Sequence, residues 1–398
     1  MSQQIVKQRS RGFICVNAHP AGCAKNLEDQ IAVITANRPA SIDGPKNVLV
    51  VGSSTGYGLA SRVAAAWGFG AKTLGVFFEK VPEGKRTATA GYYNSVAFHR
   101  AAERDGLWAK SLNGDAFSDE LKDQAANIIR DEMGPIDLVI YSLASPKRSD
   151  PRSGQTFSSA LKSIGETYTG KTIDLGSGAV TEVTVEPASP DEIAQTVAVM
   201  GGEDWQWWID KLLSEDLLAA GARTVAYTYI GPRHTWPIYR DGTIGAAKDH
   251  VKQTSDALNE RLRDAIGGAA YVSVNKAVVT QASAAIPVVP LYISLLFRVM
   301  KQKGIHEGTI EQMRRLFFEH LAADVEPTVD ASGLIRIDDW EMRDDVQQEI
   351  AELWPRVTTE NLGELADFAG LKRNFSRLFG FEVDGVDYDL PVETESLL

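Results

Sequence analysis

The chain has 398 residues, 44% hydrophobic and 24% charged, a composition that excludes a disordered chain or a small disulfide-stapled domain and leaves ample length for a large core. Its 53 acidic side chains against 41 basic ones give a formal charge of -12, the wrong sign for gripping a phosphate backbone, so nucleic acid is not an expected partner. Only Cys15 and Cys23 are present, and the start MSQQIVKQRSRGFICV lacks the apolar core of a signal peptide, so a reducing, cytoplasmic setting is expected.

Apolar, strand-like runs recur at Val48 to Val51, Thr73 to Phe78, Ile136 to Tyr141, Thr224 to Ile230 and Tyr271 to Val274, with helix-favouring stretches between them. That alternation predicts an α/β fold, a Rossmann-like doubly wound parallel sheet with helices on both faces. Leu59 to Phe69 reads as the helix after the first strand; Ser118 caps another that Gly134-Pro135 ends. The rhythm breaks from Pro146 to about Pro190, where Lys171 to Leu175 and Thr181 to Val185 flank a Gly-Ser-Gly turn like a hairpin, which predicts an insertion at the sheet's rim. The stretch Ala277 to Phe297 is uncharged and close to the roughly 20 residues of a membrane span, but its prolines and polar residues make it a buried or cleft-lining segment. From His306 onward the pattern is helical, and residues 1–398 read as one elaborated domain.

Val48 to Val51 run directly into Gly52-Ser53-Ser54-Thr55-Gly56-Tyr57-Gly58 and then a helix, the order a dinucleotide site requires. Glycines let the backbone approach a pyrophosphate whose charge sits at the helix N-terminus. The Gly-x-x-x-Gly-x-Gly spacing resembles the short-chain dehydrogenase/reductase variant of the fold. Glu79 ends the second strand, where a carboxylate accepts hydrogen bonds from the adenosine ribose hydroxyls and repels a 2′-phosphate, so NADH is expected over NADPH. Its bland alternative is a solvated strand-end acid. Asn113-Gly114-Asp115 would cap the adenine edge, or is ordinary turn chemistry.

Eight residues separate Tyr239 from Lys248. On one straight helix that offset is about 900°, which puts them on opposite faces, so the tyrosine must precede the helix with Gly242 or Gly245 bending the chain. A phenol of ordinary pKa near 10 is a poor proton donor unless a nearby cation stabilises its phenolate, and lysine supplies that charge while reaching the nicotinamide ribose. The default reading of Lys248 alone is a helix-surface lysine.

With Gly12-Phe13-Ile14-Cys15, His19 to Cys23, the glycine loop, Gly201-Gly202-Glu203-Asp204-Trp205, the Tyr-x8-Lys pair and Val278 to Pro287, the sequence resembles the FabV-type enoyl-acyl-carrier-protein reductases, a family that includes trans-2-enoyl-CoA reductases. The resemblance spans nearly the whole chain. It implies NADH-dependent reduction of a trans-2-enoyl thioester of acyl-carrier protein or CoA by a monomer, with no metal. Carried over residue by residue, it implies cofactor contact at Gly52, Ser53, Ser54, Thr55, Gly56, Tyr57, Phe78, Glu79, Asp115, Ala116, Leu143, Ala144, Lys248, Ala277, Val278 and Val279. It implies substrate contact at Tyr229 and a catalytic pair in Tyr239 and Lys248.

Two other functions share these motifs: a short-chain alcohol dehydrogenase or epimerase, and a catalytically silent dinucleotide sensor. The long Tyr-Lys gap argues against the first and retention of both residues against the second. Cys15, His19 and Cys23 invite a metal reading, but no further cysteine completes a structural zinc set. Trp205, Trp207 and Trp208 read as core before acyl tunnel. Arg298, Lys301 and Lys303 are the basic residues placed to meet an acidic carrier protein, or are a solvated helix end.

Overall fold

The computed structural model describes residues 3–11, 14–143 and 145–396. In chain order the central sheet takes β1 Asn47–Val51, β2 Lys72–Phe77, β3 Ala109–Asn113, β4 Ile136–Tyr141, β5 Leu218–Thr228, β6 Ala269–Val274 and β7 Leu334–Arg336. All neighbours are parallel, in the spatial order β7-β6-β5-β4-β1-β2-β3. Both faces of such a sheet are covered, which is why its strands read as continuous apolar runs. Val48 and Val50 belong to a core shared with the helices Pro20–Ala36, Gly56–Phe69 and Thr309–Glu319. Leu49 and Val51 turn the other way, into a core shared with Asp119–Ile128, Glu203–Ser214 and Thr243–Ile266. Trp205 and Trp208, both fully buried, sit in that second core.

Strand order reverses between β1 and β4, and the crevice beyond their C-terminal ends is where a doubly wound sheet takes its ligand. The register pairs Val51 with both Val76 and Tyr141, so the residues that follow three strands meet at one place.

Local chemistry explains the helix limits. Ser118 accepts from the Leu121 N–H at 3.2 Å, and the helix it starts widens into a π turn over Ile129–Met133 before Gly134. The helix Gly56–Phe69 ends where Gly70 turns left-handed at φ 70°. The predicted insertion is two antiparallel ribbons, Lys147–Ser149 with Thr156–Ser158 and Tyr168–Ile173 with Val180–Val185. Between residues 277 and 297 the chain forms a loop and two helices, Gln281–Ala285 and Val289–Gln302, and no helix among the described residues is long and apolar enough to cross a membrane.

The tail departs from the all-helical expectation. Helices Thr309–Glu319, Asp344–Leu353 and Phe368–Arg377 are present, but Leu334–Arg336 adds a seventh strand beside β6. A three-residue strand carries no readable period; its pairing partner defines it. Gln3–Gln4 pairs with Val392–Glu393 and ties the two ends of the chain together.

Candidate active site

Gly52 takes φ +90°, and a Cβ there would fall 2.2 Å from the Ser142 carbonyl oxygen, so only glycine lets β1 turn this close to the end of β4. A Cβ on Gly58 would meet the Gly52 oxygen at 1.9 Å, which fixes the helix tight against the loop. The Gly52 and Ser53 N–H groups both donate to the Val76 oxygen, at 2.8 and 3.0 Å.

The loop opens into a cavity of about 880 Å³. Gly52, Ser54, Thr55, Gly56, Tyr57, Phe78, Glu79, Asp115, Ala116, Leu143, Lys248, Ala277 and Val278 line it, and so do Tyr229 and Tyr239. The sequence-predicted residues are therefore brought together with three exceptions. Ser53 is buried beneath the loop with its hydroxyl donating to Val76 at 3.3 Å. Val279 faces a separate gap of about 10 Å³ beside Leu371 and Phe375. Ala144, like Gly12 and Phe13, lies outside the described residues.

Glu79 is half-buried and its Oε1 accepts from the Ser54 hydroxyl at 2.7 Å. A Cβ on Gly91 would sit 2.0 Å from that same oxygen, so the helix Ala90–Arg104 leaves the carboxylate just enough room. The Asn113 side chain accepts from the Glu79 N–H and donates to the Glu79 carbonyl, at 2.8 and 3.0 Å. Asn113 therefore builds the strand end that presents Glu79; Asp115 lines the cavity and caps Phe117 N–H at 3.0 Å.

Tyr239 precedes the helix Thr243–Ile266, as its spacing requires, and Gly245 bonds back to the Tyr239 oxygen at 2.9 Å. Its ring stands edge-on to Tyr229 with centroids 4.9 Å apart. Lys248, one turn into the helix, donates to the Tyr227 oxygen at 3.1 Å, and burial pushes its ammonium down to about 8. The same burial pushes the Tyr239 phenol up. Burial therefore holds the phenol in its protonated form through the neutral range.

Two buried charges beside the cavity were not read from sequence. Lys276 lies two residues beyond the end of β6 and its Nζ donates to the Ala277 oxygen at 2.8 Å. Glu341, fully buried, accepts from the Ala277 N–H at 2.7 Å. A lysine placed between a buried strand and an uncharged segment was a usable signal; Glu341 stands in a helical-looking tail and offered none.

Other expectations resolve simply. His19 caps a helix, its Nδ1 accepting from Gly22 N–H at 3.1 Å, while Cys15 lines the cavity and Cys23 is buried. Trp205 and Trp208 donate to Thr224 and Ala116 at 2.8 and 3.1 Å and do not line the cavity. Lys301 pairs with Asp367 at 2.6 Å, and Lys303 with Asp345 and Glu349 at 3.4 and 3.0 Å, so two of the three residues expected to meet a carrier protein already carry neutralising partners.

Three family models match. Residues 5–84 match the NAD(P)H binding domain of trans-2-enoyl-CoA reductase, 86–322 the trans-2-enoyl-CoA reductase catalytic region, and 329–392 the enoyl reductase FAD binding domain. The chain is 56% identical to an enoyl-[acyl-carrier-protein] reductase [NADH] of Flavobacterium johnsoniae, over 96% of each chain. It is 54% identical to one of Coxiella burnetii, over 99% of this chain and 97% of that one. Among solved structures, a Treponema denticola trans-2-enoyl-CoA reductase in complex with NAD matches with a TM-score of 0.95 and 49% identity, over 99% of this chain and all of that one. One from Clostridium acetobutulicum in complex with NADH also gives 0.95, at 44% identity and 98% of each chain.

The segment 329–392 does not fit a flavin. Strand β7 leads into Ile337-Asp338-Asp339-Trp340-Glu341 with no glycine turn, and the segment adds only Phe379 to the wall of the large cavity.

Proposed function

The chain belongs to the trans-2-enoyl-CoA reductase family, and on that premise we propose that Tyr239, Lys248 and the loop from Gly52 to Tyr57 are its catalytic and cofactor machinery. The activity is NADH-dependent reduction of the trans-2 double bond of an enoyl thioester, carried by acyl-carrier protein or CoA, to the saturated acyl thioester. One observation supports the residue roles above the others: the loop, the strand-end acid and the Tyr-Lys pair all open into a single cavity at the sheet's switch point.

Bound NADH supplies the hydride that the substrate's β-carbon takes up. The chain's residues handle the rest. Glu79, steadied by Ser54, accepts the adenosine ribose hydroxyls, and the start of the helix Gly56–Phe69 faces the pyrophosphate. As the β-carbon is reduced, negative charge gathers on the thioester oxygen, and the protonated Tyr239 hydroxyl donates to it there. The enolate's α-carbon then takes a proton from solvent while Tyr239 keeps its own, so one hydride and one proton are added across the double bond. Lys248 anchors the nicotinamide ribose, and Tyr229 shapes the acyl side. Ala277 and Val278 bound the cofactor opposite the glycine loop.

All three matched segments work as one unit, supported by the shared sheet to which residues 47–336 contribute. The protein acts as a cytoplasmic monomer: among the described residues the large exposed apolar side chains are few, and the most exposed, Phe78, lines the cavity itself. The test follows loss of NADH with crotonyl-CoA, an enoyl-acyl-carrier protein and a panel of secondary alcohols and ketones. Turnover of the thioesters alone is expected. Turnover of alcohols or ketones instead, or none at all, overturns the assignment.

A further inference from the structure

Glu341 is fully buried and gathers three donors from three separate elements. Its Oε1 accepts from the Tyr229 hydroxyl at 3.0 Å and from the Tyr292 hydroxyl at 2.6 Å; its Oε2 accepts from the Ala277 N–H at 2.7 Å. Tyr229 follows β5, Ala277 follows β6, and Tyr292 is on the helix Val289–Gln302. Gln347 braces the arrangement from the far side, donating to the Tyr292 oxygen at 3.1 Å and to the Glu341 carbonyl at 2.7 Å.

The opposite charge is equally enclosed. Lys276 is 2% exposed and its Nζ grips the Ala277 carbonyl at 2.8 Å, so the N–H and the C=O of one residue are held by a buried carboxylate and a buried ammonium. The Lys276 carbonyl in turn accepts from the Tyr57 hydroxyl at 2.7 Å, which ties this loop to the glycine-loop helix. Charge-assisted bonds of this kind are shorter and stronger than neutral ones, and a carboxylate stripped of water keeps its donors closely fixed.

From this we infer that Glu341 is a positioning residue for the reduction, setting the Tyr229–Tyr239 wall of the site relative to the Ala277–Val278 wall that receives the cofactor. The carboxylate touches neither substrate nor cofactor. It takes the proton of the Tyr229 hydroxyl as a hydrogen bond, so that hydroxyl is committed away from the thioester oxygen and the Tyr229 ring is held edge-on to Tyr239. Tyr239 is thereby left as the donor, with its ring seated against a fixed neighbour. The segment that holds Glu341 lies outside residues 86–322 matched by the catalytic-region model, so the inference also gives the C-terminal segment a part in turnover. It rests on the reductase reading above.

The test is a double-mutant cycle on crotonyl-CoA at saturating NADH. In Glu341→Gln the amide oxygen keeps the Ala277 N–H while the amide N–H₂ faces the two tyrosines, which must turn their own protons elsewhere. Glu341→Gln is expected to lower kcat by at least about tenfold with the NADH Kd changed less than about threefold, and to cost less than about twofold when added to Tyr229→Phe. A kcat for Glu341→Gln within about twofold of wild type, or the same loss in both backgrounds, overturns the inference. If circular dichroism shows that Glu341→Gln does not fold, two tyrosine variants decide. Tyr229→Phe and Tyr292→Phe each remove one donor from the same oxygen, but only Tyr229 adjoins Tyr239; a loss of about tenfold or more is expected for the first and less than about twofold for the second, and equal losses overturn the inference. A wild-type enzyme that does not oxidise NADH with the thioester fails the reductase reading instead.

Discussion

Tyr239 and Tyr229 meet edge to face, centroids 4.9 Å apart and planes at 84°, while the Tyr229 hydroxyl turns away to Glu341. Of the two phenols on this wall, only Tyr239 has its proton uncommitted to a buried carboxylate. Removing that hydroxyl should therefore remove the donor without disturbing the ring contact. Tyr239→Phe is expected to lower kcat on crotonyl-CoA by about 100- to 1000-fold, the usual cost of losing one donor at a developing oxyanion. NADH affinity by fluorescence titration should stay near wild type. Activity within about twofold of wild type would remove Tyr239 from the mechanism.

Lys248 gives the reaction a pH dependence. Burial lowers its ammonium from the ordinary lysine value to about 8, so the charged form dominates below that pH and is lost as pH rises through it. NADH affinity should accordingly decline above about pH 8. Lys276 is also pushed down to about 8 by burial, but its ammonium is spent on the Ala277 carbonyl. Lys248→Met separates the two: it should weaken NADH binding at pH 7 and flatten the alkaline decline, and a decline that persists in the variant assigns it to another group.

Cofactor choice rests on Glu79 and on the space left for it. Glu79→Ala should lower kcat/KM with NADH by about tenfold and narrow the preference over NADPH, since the carboxylate's repulsion of a 2′-phosphate is gone. Gly91→Ala is the structural counterpart. The added methyl would lie 2.0 Å from Glu79 Oε1 and 2.7 Å from Ser54 Cβ, so it should raise the KM for NADH while leaving kcat nearly unchanged. A preference ratio unmoved by Glu79→Ala shows that the cofactor is chosen elsewhere.

Gly52→Ala tests the turn itself. A side chain at φ +90° costs about 1–3 kcal/mol in backbone strain, and here the methyl also collides with the Ser142 oxygen at 2.2 Å. The urea midpoint should fall and NADH binding should be lost with it. An unchanged midpoint would mean that the loop relaxes freely and that the close approach of β1 to β4 is not required.

Much of this site was legible before the chain was folded, because its chemistry is local. The glycine loop announces itself by following an apolar run and preceding a helix, Glu79 by ending the next strand, and the Tyr239–Lys248 gap by excluding one straight helix. Each signal fits within a few dozen residues, where backbone periodicity and glycine's lack of a Cβ translate directly into geometry. What the tertiary structure decided is carried by contacts between distant positions. Glu341 meets Tyr229 across 112 residues and Ala277 across 64, and Leu334–Arg336 becomes a strand only because β6 offers it an edge. A single acid in an amphipathic tail looks like any solvated acid, since burial and hydrogen-bond partners are properties of the packed chain. The upward shift of the Tyr239 phenol and the downward shift of the Lys248 ammonium belong to the same class: residue type supplied the proton, and burial in the packed chain set when it is held.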